Sequence, residues 1–143
     1  MMSIVKRMNK NKFFELYHER SMIEFFEYKK QNPKQDFVYV IQQPGANIDI
    51  RSANEYGNIV FCLPYRGPDS QMYFSSSPFV FQMNKCFKEF RATDYILLTG
   101  DPAFIGISCA VAGNVTNGQF KLLKWDRREL KYYPLEINLY QKG

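Results

Sequence analysis

Asp94–Val115 reads DYILLTGDPAFIGISCAVAGNV. Tyr95–Leu98, YILL, has no polar face, as expected of a strand inside a parallel sheet with helices on both sides. Thr99, Gly100 and Asp101 break that run. Asp101-Pro102 has the form of an N-cap followed by proline at the first helical position, where its missing N–H costs nothing. The stretch from Ala103 to about Thr116 predicts a helix with no charged residue and with small side chains at Ala103, Gly106, Ser108, Ala110, Ala112 and Gly113. Small side chains let a helix lie close to a sheet, and the missing polar face predicts cover on both sides. Gly106 and Gly113 each weaken the helix by up to ~1 kcal/mol relative to alanine, a loss expected to be offset by close packing. Asn117-Gly118 supplies the stop.

Working outward, the neighbouring segments extend this strand and helix into an α/β unit. Upstream, Asn58–Leu63 (NIVFCL) predicts a buried strand and Ser77-Pro78 the cap of a helix. In that helix Phe79, Met83, Cys86, Phe87 and Phe90 recur at helical spacing, with Gln82, Lys85, Lys88, Glu89 and Arg91 facing out. Downstream, Phe120–Trp125 predicts a strand and Asp126–Leu130 a turn. Lys131–Leu139 then returns, with Pro134 marking an edge strand. Right-handed crossovers make the first three of these strands parallel. The expected fold is therefore α/β: a three-layer Rossmann-like sandwich, mainly parallel, with a C-terminal antiparallel hairpin.

The first third of the chain is read more loosely. Phe37–Ile41 (FVYVI) predicts a strand by its β-branched and aromatic content. Asn47–Ser52 is expected to form a short edge strand, and Ala53–Tyr56 a helical turn closed by Gly57. Asn9–Gln31 predicts helix, either as one kinked element or as two, the second opening at Met22 behind the capping box Ser21–Glu24. The expected organisation is a basic helical segment, residues 1–35, ahead of a single α/β domain, residues 36–143.

Bulk properties bound the function. A chain of 143 residues with 45% hydrophobic and 17% aromatic residues is one folded domain. The net charge of +5 is uneven: residues 1–35 hold eight basic and four acidic side chains, the remainder eleven and ten. Any pull on an acidic partner is thus expected from the N-terminal segment. There is neither an apolar leader nor a convincing membrane span, and Cys62, Cys86 and Cys109 fall inside apolar elements, as free thiols of a reducing cytoplasm do. The lone histidine, His18, makes Ser-His-Asp and Cys-His catalysis unfavoured readings and excludes multi-histidine metal sites. No metal site and no cofactor is expected.

In open α/β sheets, ligands bind beyond the carboxyl ends of the parallel strands. Three loops are expected there: Pro64–Ser77, which at fourteen residues is long for a connection, Thr99–Pro102 and Trp125–Arg128. Their candidate ligand-binding residues are Arg66, Asp69, Ser76, Thr99, Gly100, Asp101, Asp126 and Arg127, with helix N-termini favouring an anion. Each has a simpler role as well: Asp101 as a cap, Asp126 and Arg127 as a solvated hairpin turn, Gly100 as a tight turn. TGDP matches no glycine-rich phosphate loop. A weaker candidate is nucleic-acid binding by Lys6, Arg7, Lys10 and Lys12, which precede Phe13, Phe14 and Tyr17.

Two stretches carry a resemblance. Ala53–Pro64, ANEYGNIVFCLP, and the tail DYILLTGDPAFIGISCAVAGNVTNGQFKLLKWDRRELKYYPLEINL resemble small uncharacterised α/β proteins encoded by bacteriophages and phage-derived elements. The resemblance runs from about Ala53 to Leu139. It implies a small intracellular protein made during infection or carried by a phage-derived locus. The lack of a nucleophile–base pair adds the expectation of an accessory protein that acts by binding a macromolecular partner. The uncharged central helix adds self-association as an expectation. The alternative functions are nucleotide or phosphometabolite binding at the carboxyl edge, with or without catalysis, and nucleic-acid binding through the basic N-terminus.

Overall fold

The computed structural model describes residues 13–65 and 76–141. Six strands form one sheet in the order β1-β3-β2-β4-β5-β6. They are β1 (Phe14–Glu15), β2 (Phe37–Gln42), β3 (Asn58–Leu63), β4 (Tyr95–Leu97), β5 (Gln119–Asp126) and β6 (Lys131–Asn138). The first five are mutually parallel, and β6 returns antiparallel on β5, with Asp126 opposite Lys131 and Gln119 opposite Asn138. Among the described residues three α-helices accompany them: α1 (Glu19–Gln31), α2 (Ser77–Cys86) and α3 (Pro102–Val115).

The α/β class, the mainly parallel sheet and the C-terminal hairpin are as expected, and Pro134 does lie on an edge strand. The layers are unequal. Met22 and Phe25 of α1, Met83 and Cys86 of α2, and Phe104 and Ala112 of α3 all join one core cluster. On the other sheet face Val38, Val40, Ile59, Leu97 and Leu123 pack with Ile50, Ala53 and Tyr132. That layer is the 43–57 segment, which is one 3-10 turn at Arg51–Tyr56 and not the edge strand expected at Asn47–Ser52. β2 accounts for the sheet's stability: all six of its residues are buried, and it lies between β3 and β4.

The N-terminal reading is corrected at two points. Phe14–Glu15 is a strand beside β3, and the helix begins at Glu19. Ser21 caps nothing; its Oγ accepts the Glu15 N–H at 2.9 Å, tying strand to helix. Phe14 is 2% exposed, so β1 is held by burial and not by intrinsic propensity.

α1 is also held by a buried ion pair. Lys29 Nζ donates to Asp94 Oδ2 at 2.5 Å and to the Tyr39 hydroxyl at 2.8 Å, and lies over the Phe25, Phe37 and Tyr39 rings. Asp94 also accepts the Phe37 and Arg91 backbone N–H groups, each at 2.9 Å. Burial pulls the Lys29 pKa down, and the Asp94 carboxylate opposes that. The pair joins residues 65 apart in sequence, at the amino end of the strands.

α3 starts as its sequence predicts: the Asp101 side chain accepts the Ala103 N–H at 2.8 Å, and Pro102 opens the helix. Asn117 (φ 55°) and Gly118 (φ 81°) end it. Cover on both sides does not hold. Phe104, Ser108, Ala112 and Gly113 are buried, while Ala103, Gly106, Ala110 and Asn114 are exposed. Close packing accounts for Gly113, where a Cβ would meet Leu139 Cδ1 at 3.4 Å, but not for Gly106, where it would meet nothing within 4 Å. Gly106→Ala is accordingly expected to raise stability by up to ~1 kcal/mol in chemical denaturation.

Candidate functional site

Parallel pairing puts the carboxyl ends of β2, β3, β4 and β5 on one rim, so the turns after Leu63, Leu97 and Asp126 open the same way. Two of them border a cleft of about 670 Å³ between the ends of β4 and β5 and the 47–49 segment. Its wall includes Asn47, Ile48, Asp49, Thr99, Trp125 and Arg127, with Leu97, Leu123 and Tyr132 in the floor. Trp125 is 40% exposed, and its ring meets that of Tyr132 edge-on at 4.9 Å. The hairpin register places those two residues directly opposite each other. Tyr132 is anchored in turn from the 3-10 turn, whose Tyr56 hydroxyl donates to its carbonyl at 3.0 Å.

The charges at the rim are unequally engaged. Asp49 accepts two side-chain bonds from Arg51, at 3.0 and 2.9 Å, and its backbone N–H at 2.9 Å. Those bonds hold the Asp49 carboxyl down to about 2. Asp126 Oδ1 accepts the Arg128 and Glu129 N–H groups, closing the hairpin turn. Lys124 and Arg127 have no carboxylate within ion-pair distance among the described residues. Among the described residues the acids are thus bonded and the bases outside any ion pair, an arrangement able to take an anion.

Of the TGDP turn, Thr99 lines the cleft. Thr99 Oγ1 donates to the Gln42 carbonyl at 2.9 Å, and Gln42 Oε1 accepts the Asp101 N–H at 3.2 Å. Gln42 is 4% exposed, and its Nε2 is buried with no hydrogen-bond partner among the described residues. Gly100 has φ 106°, and a Cβ there would lie 2.5 Å from Gln42 Oε1. Glycine is required at this close approach of turn to strand.

Of the sequence candidates, Thr99 and Arg127 line the cleft together. Asp126 lies in the adjoining hairpin turn, while Gly100 and Asp101 follow Thr99 in the next turn and do not line the cleft. Ser76 precedes α2 as its N-cap, with no side-chain cap bond, so the cap lies one residue before the one expected. Arg66 and Asp69, and Lys6, Arg7, Lys10 and Lys12, lie outside the described residues. Sequence reasoning missed Trp125 and Tyr132 as a pair: a turn over Asp126–Leu130 sets Trp125 opposite Lys131, one residue away from the observed register, in which Asp126 itself pairs with Lys131. It also missed Asn47 and Asp49, which no local pattern ties to β5.

Leu130 closes the hairpin with φ 54° while 69% exposed. The left-handed region costs a branched side chain about 1–2 kcal/mol. Leu130→Asn, which suits that conformation, is expected to raise the thermal midpoint and add up to about 1 kcal/mol.

Among the described residues, no group of three His, Cys, Asp or Glu side chains could hold a metal ion, and no helix is long and apolar enough to cross a membrane. His18 lies at the start of α1 with its ring 4.6 Å from that of Tyr17.

The family model described as phage Pam3 gp32-like protein matches residues 36–139. Comparison with curated proteins and with solved structures finds no match.

Proposed function

We propose, from the premise that the chain belongs to the phage Pam3 gp32-like protein family, that it acts by binding and that the carboxyl-rim cleft is where a nucleotide or similar phosphometabolite sits. The observation that carries this is Trp125 beside Arg127 in one cleft whose nearby carboxylates are already bonded. An aromatic face can stack on a base, and a free guanidinium can hold a phosphate by charge-assisted hydrogen bonds. The cleft's 670 Å³ is within the range of small-molecule sites. The setting for this role is the cytoplasm of the infected cell.

Trp125 is the chain's single tryptophan, so its fluorescence reports on the cleft directly. Titration with AMP, ADP and ATP is expected to quench it saturably, while inorganic phosphate alone leaves it unchanged. Arg127→Ala should weaken binding by roughly tenfold or more, as expected for losing a charged hydrogen bond. No change in fluorescence or thermal midpoint with any nucleotide would overturn the reading.

A macromolecular partner is the second reading, supported by the hairpin tip. Leu130 projects there between Arg127, Arg128 and Lys131, none of them in an ion pair among the described residues. An exposed apolar residue held at a strained angle among free cations suits an acidic protein surface. Quenching of Trp125 by an acidic peptide but not by nucleotides would favour it.

A further inference from the structure

We infer that the nucleotide held in the carboxyl-rim cleft is a ribonucleotide, with the Asp49 carboxylate and the Tyr132 hydroxyl receiving the 2′-hydroxyl of its sugar. The inference rests on the nucleotide reading above and adds the sugar to it. Both residues line the same cleft as Trp125 and Arg127. Asp49 belongs to the 47–49 segment on one side, Trp125 and Arg127 to the end of β5 and the hairpin turn on the other, with Tyr132 in the floor.

The acceptor sites of Asp49 are not all used. Its Oδ1 takes two bonds from Arg51, one from the backbone N–H and one from Nε, whereas Oδ2 takes one, from Nη2 at 2.9 Å. A carboxylate has about four acceptor sites, so Oδ2 keeps one for a further donor. The side chain is 60% exposed, so a ligand can reach it. The Arg51 bonds that hold the carboxyl down to about 2 also fix its direction.

Tyr132 supplies the complementary group. Only 6% of it is exposed, yet its hydroxyl has no hydrogen-bond partner among the described residues and is not sealed from solvent. A donor so enclosed has lost most of its water and gains from a ligand oxygen. Burial, and after it the Asp49 charge, push the phenol above its ordinary range, so it stays protonated and able to donate at neutral pH. That Asp49 acts on the phenol places the two within electrostatic reach of each other. The ring is held by its edge-on contact with Trp125, and the backbone behind it by the Tyr56 hydroxyl.

A fixed acceptor and a fixed donor, both uncommitted, match an alcohol, which gives one hydrogen bond and takes another. A phosphate on this side would meet a carboxylate. At Arg127 it meets a guanidinium outside any ion pair among the described residues. The ligand therefore lies one way round, with its base on Trp125, its phosphate toward Arg127 and the hydroxyl edge of its sugar toward Asp49. Of the ribose hydroxyls, the 2′ lies beside the base, as Tyr132 lies beside Trp125. It is also the group that separates ribose from deoxyribose.

Fluorescence titration of Trp125 in the full chain with ATP and with 2′-deoxyATP tests this. The wild type is expected to bind ATP about tenfold more tightly, as for one hydrogen bond to a charged group. Tyr132→Phe keeps the ring and Asp49→Asn keeps the shape, and each is expected to bring the two affinities together. An equal loss for both nucleotides, with their ratio unchanged, would be a purely structural effect and would overturn the roles given to these residues. Equal wild-type affinity for the two would overturn the inference and leave the nucleotide reading standing. Quenching by neither would overturn both.

Discussion

Asp94→Ala is expected to cost about 3–5 kcal/mol, the usual loss when one member of a buried ion pair is removed. The carboxylate is fully buried and accepts from Lys29 and from the backbone N–H groups of Phe37 and Arg91. Its removal leaves an ammonium 5% exposed, with aromatic rings and one phenol for company. It also leaves two backbone N–H groups, of Phe37 at the start of β2 and of Arg91 in the turn before β4, without that acceptor. Urea denaturation should show the midpoint falling with little change in slope, because the native surface is nearly the same. Adding Lys29→Met to Asp94→Ala should recover part of the loss, since the stranded charge is gone while the N–H groups still lack their acceptor. A cost below ~1 kcal/mol would mean that the pair behaves like one at the surface.

Gly100→Ala is the second large effect, and it falls on the rim. At φ 106° an alanine is strained by about 1–2 kcal/mol. Its Cβ would also lie 2.6 Å from the Gln42 Cβ, an atom held by a buried strand that cannot swing away. Overpacking of this kind costs about 1–3 kcal/mol, so the expected total is roughly 3 kcal/mol, measured as a lower thermal midpoint. The same change should displace Thr99 and Asp101 from Gln42 and so move Thr99, which lines the cleft. Nucleotide quenching of Trp125 should then weaken even at temperatures where the variant is folded. Wild-type stability would show that the TGDP turn yields freely and does not define a wall.

Much of this architecture was legible in local sequence. Asp101-Pro102 opens α3, Asn117-Gly118 closes it, and Pro134 lies on an edge, because capping, left-handed turns and a missing N–H are properties of a few neighbouring residues. The common rim of the turns after β3, β4 and β5 also follows from chain order, through the handedness of the crossovers. Phe14–Glu15 was read as helix because two residues carry no period of their own, and only burial against β3 makes them a strand.

Of the cleft, Thr99 and Arg127 could be named from the sequence because they follow strands. Trp125 with Tyr132, and Asp49 with its Arg51 bonds, became a wall only once the 43–57 segment lay over the second sheet face. The lone basic residue inside α1's buried face had no visible partner until folding brought Asp94 to it.

From β3 onward the elements, their order and their parallel sense were thus determined by the chain itself, through short-range sterics and hydrogen bonding. Tertiary structure alone decided that β2 inserts between β3 and β4, that Lys29 meets Asp94, and that α3 keeps one uncharged face exposed. Those outcomes depend on which surfaces bury one another across the whole molecule, a choice that no single window of residues contains.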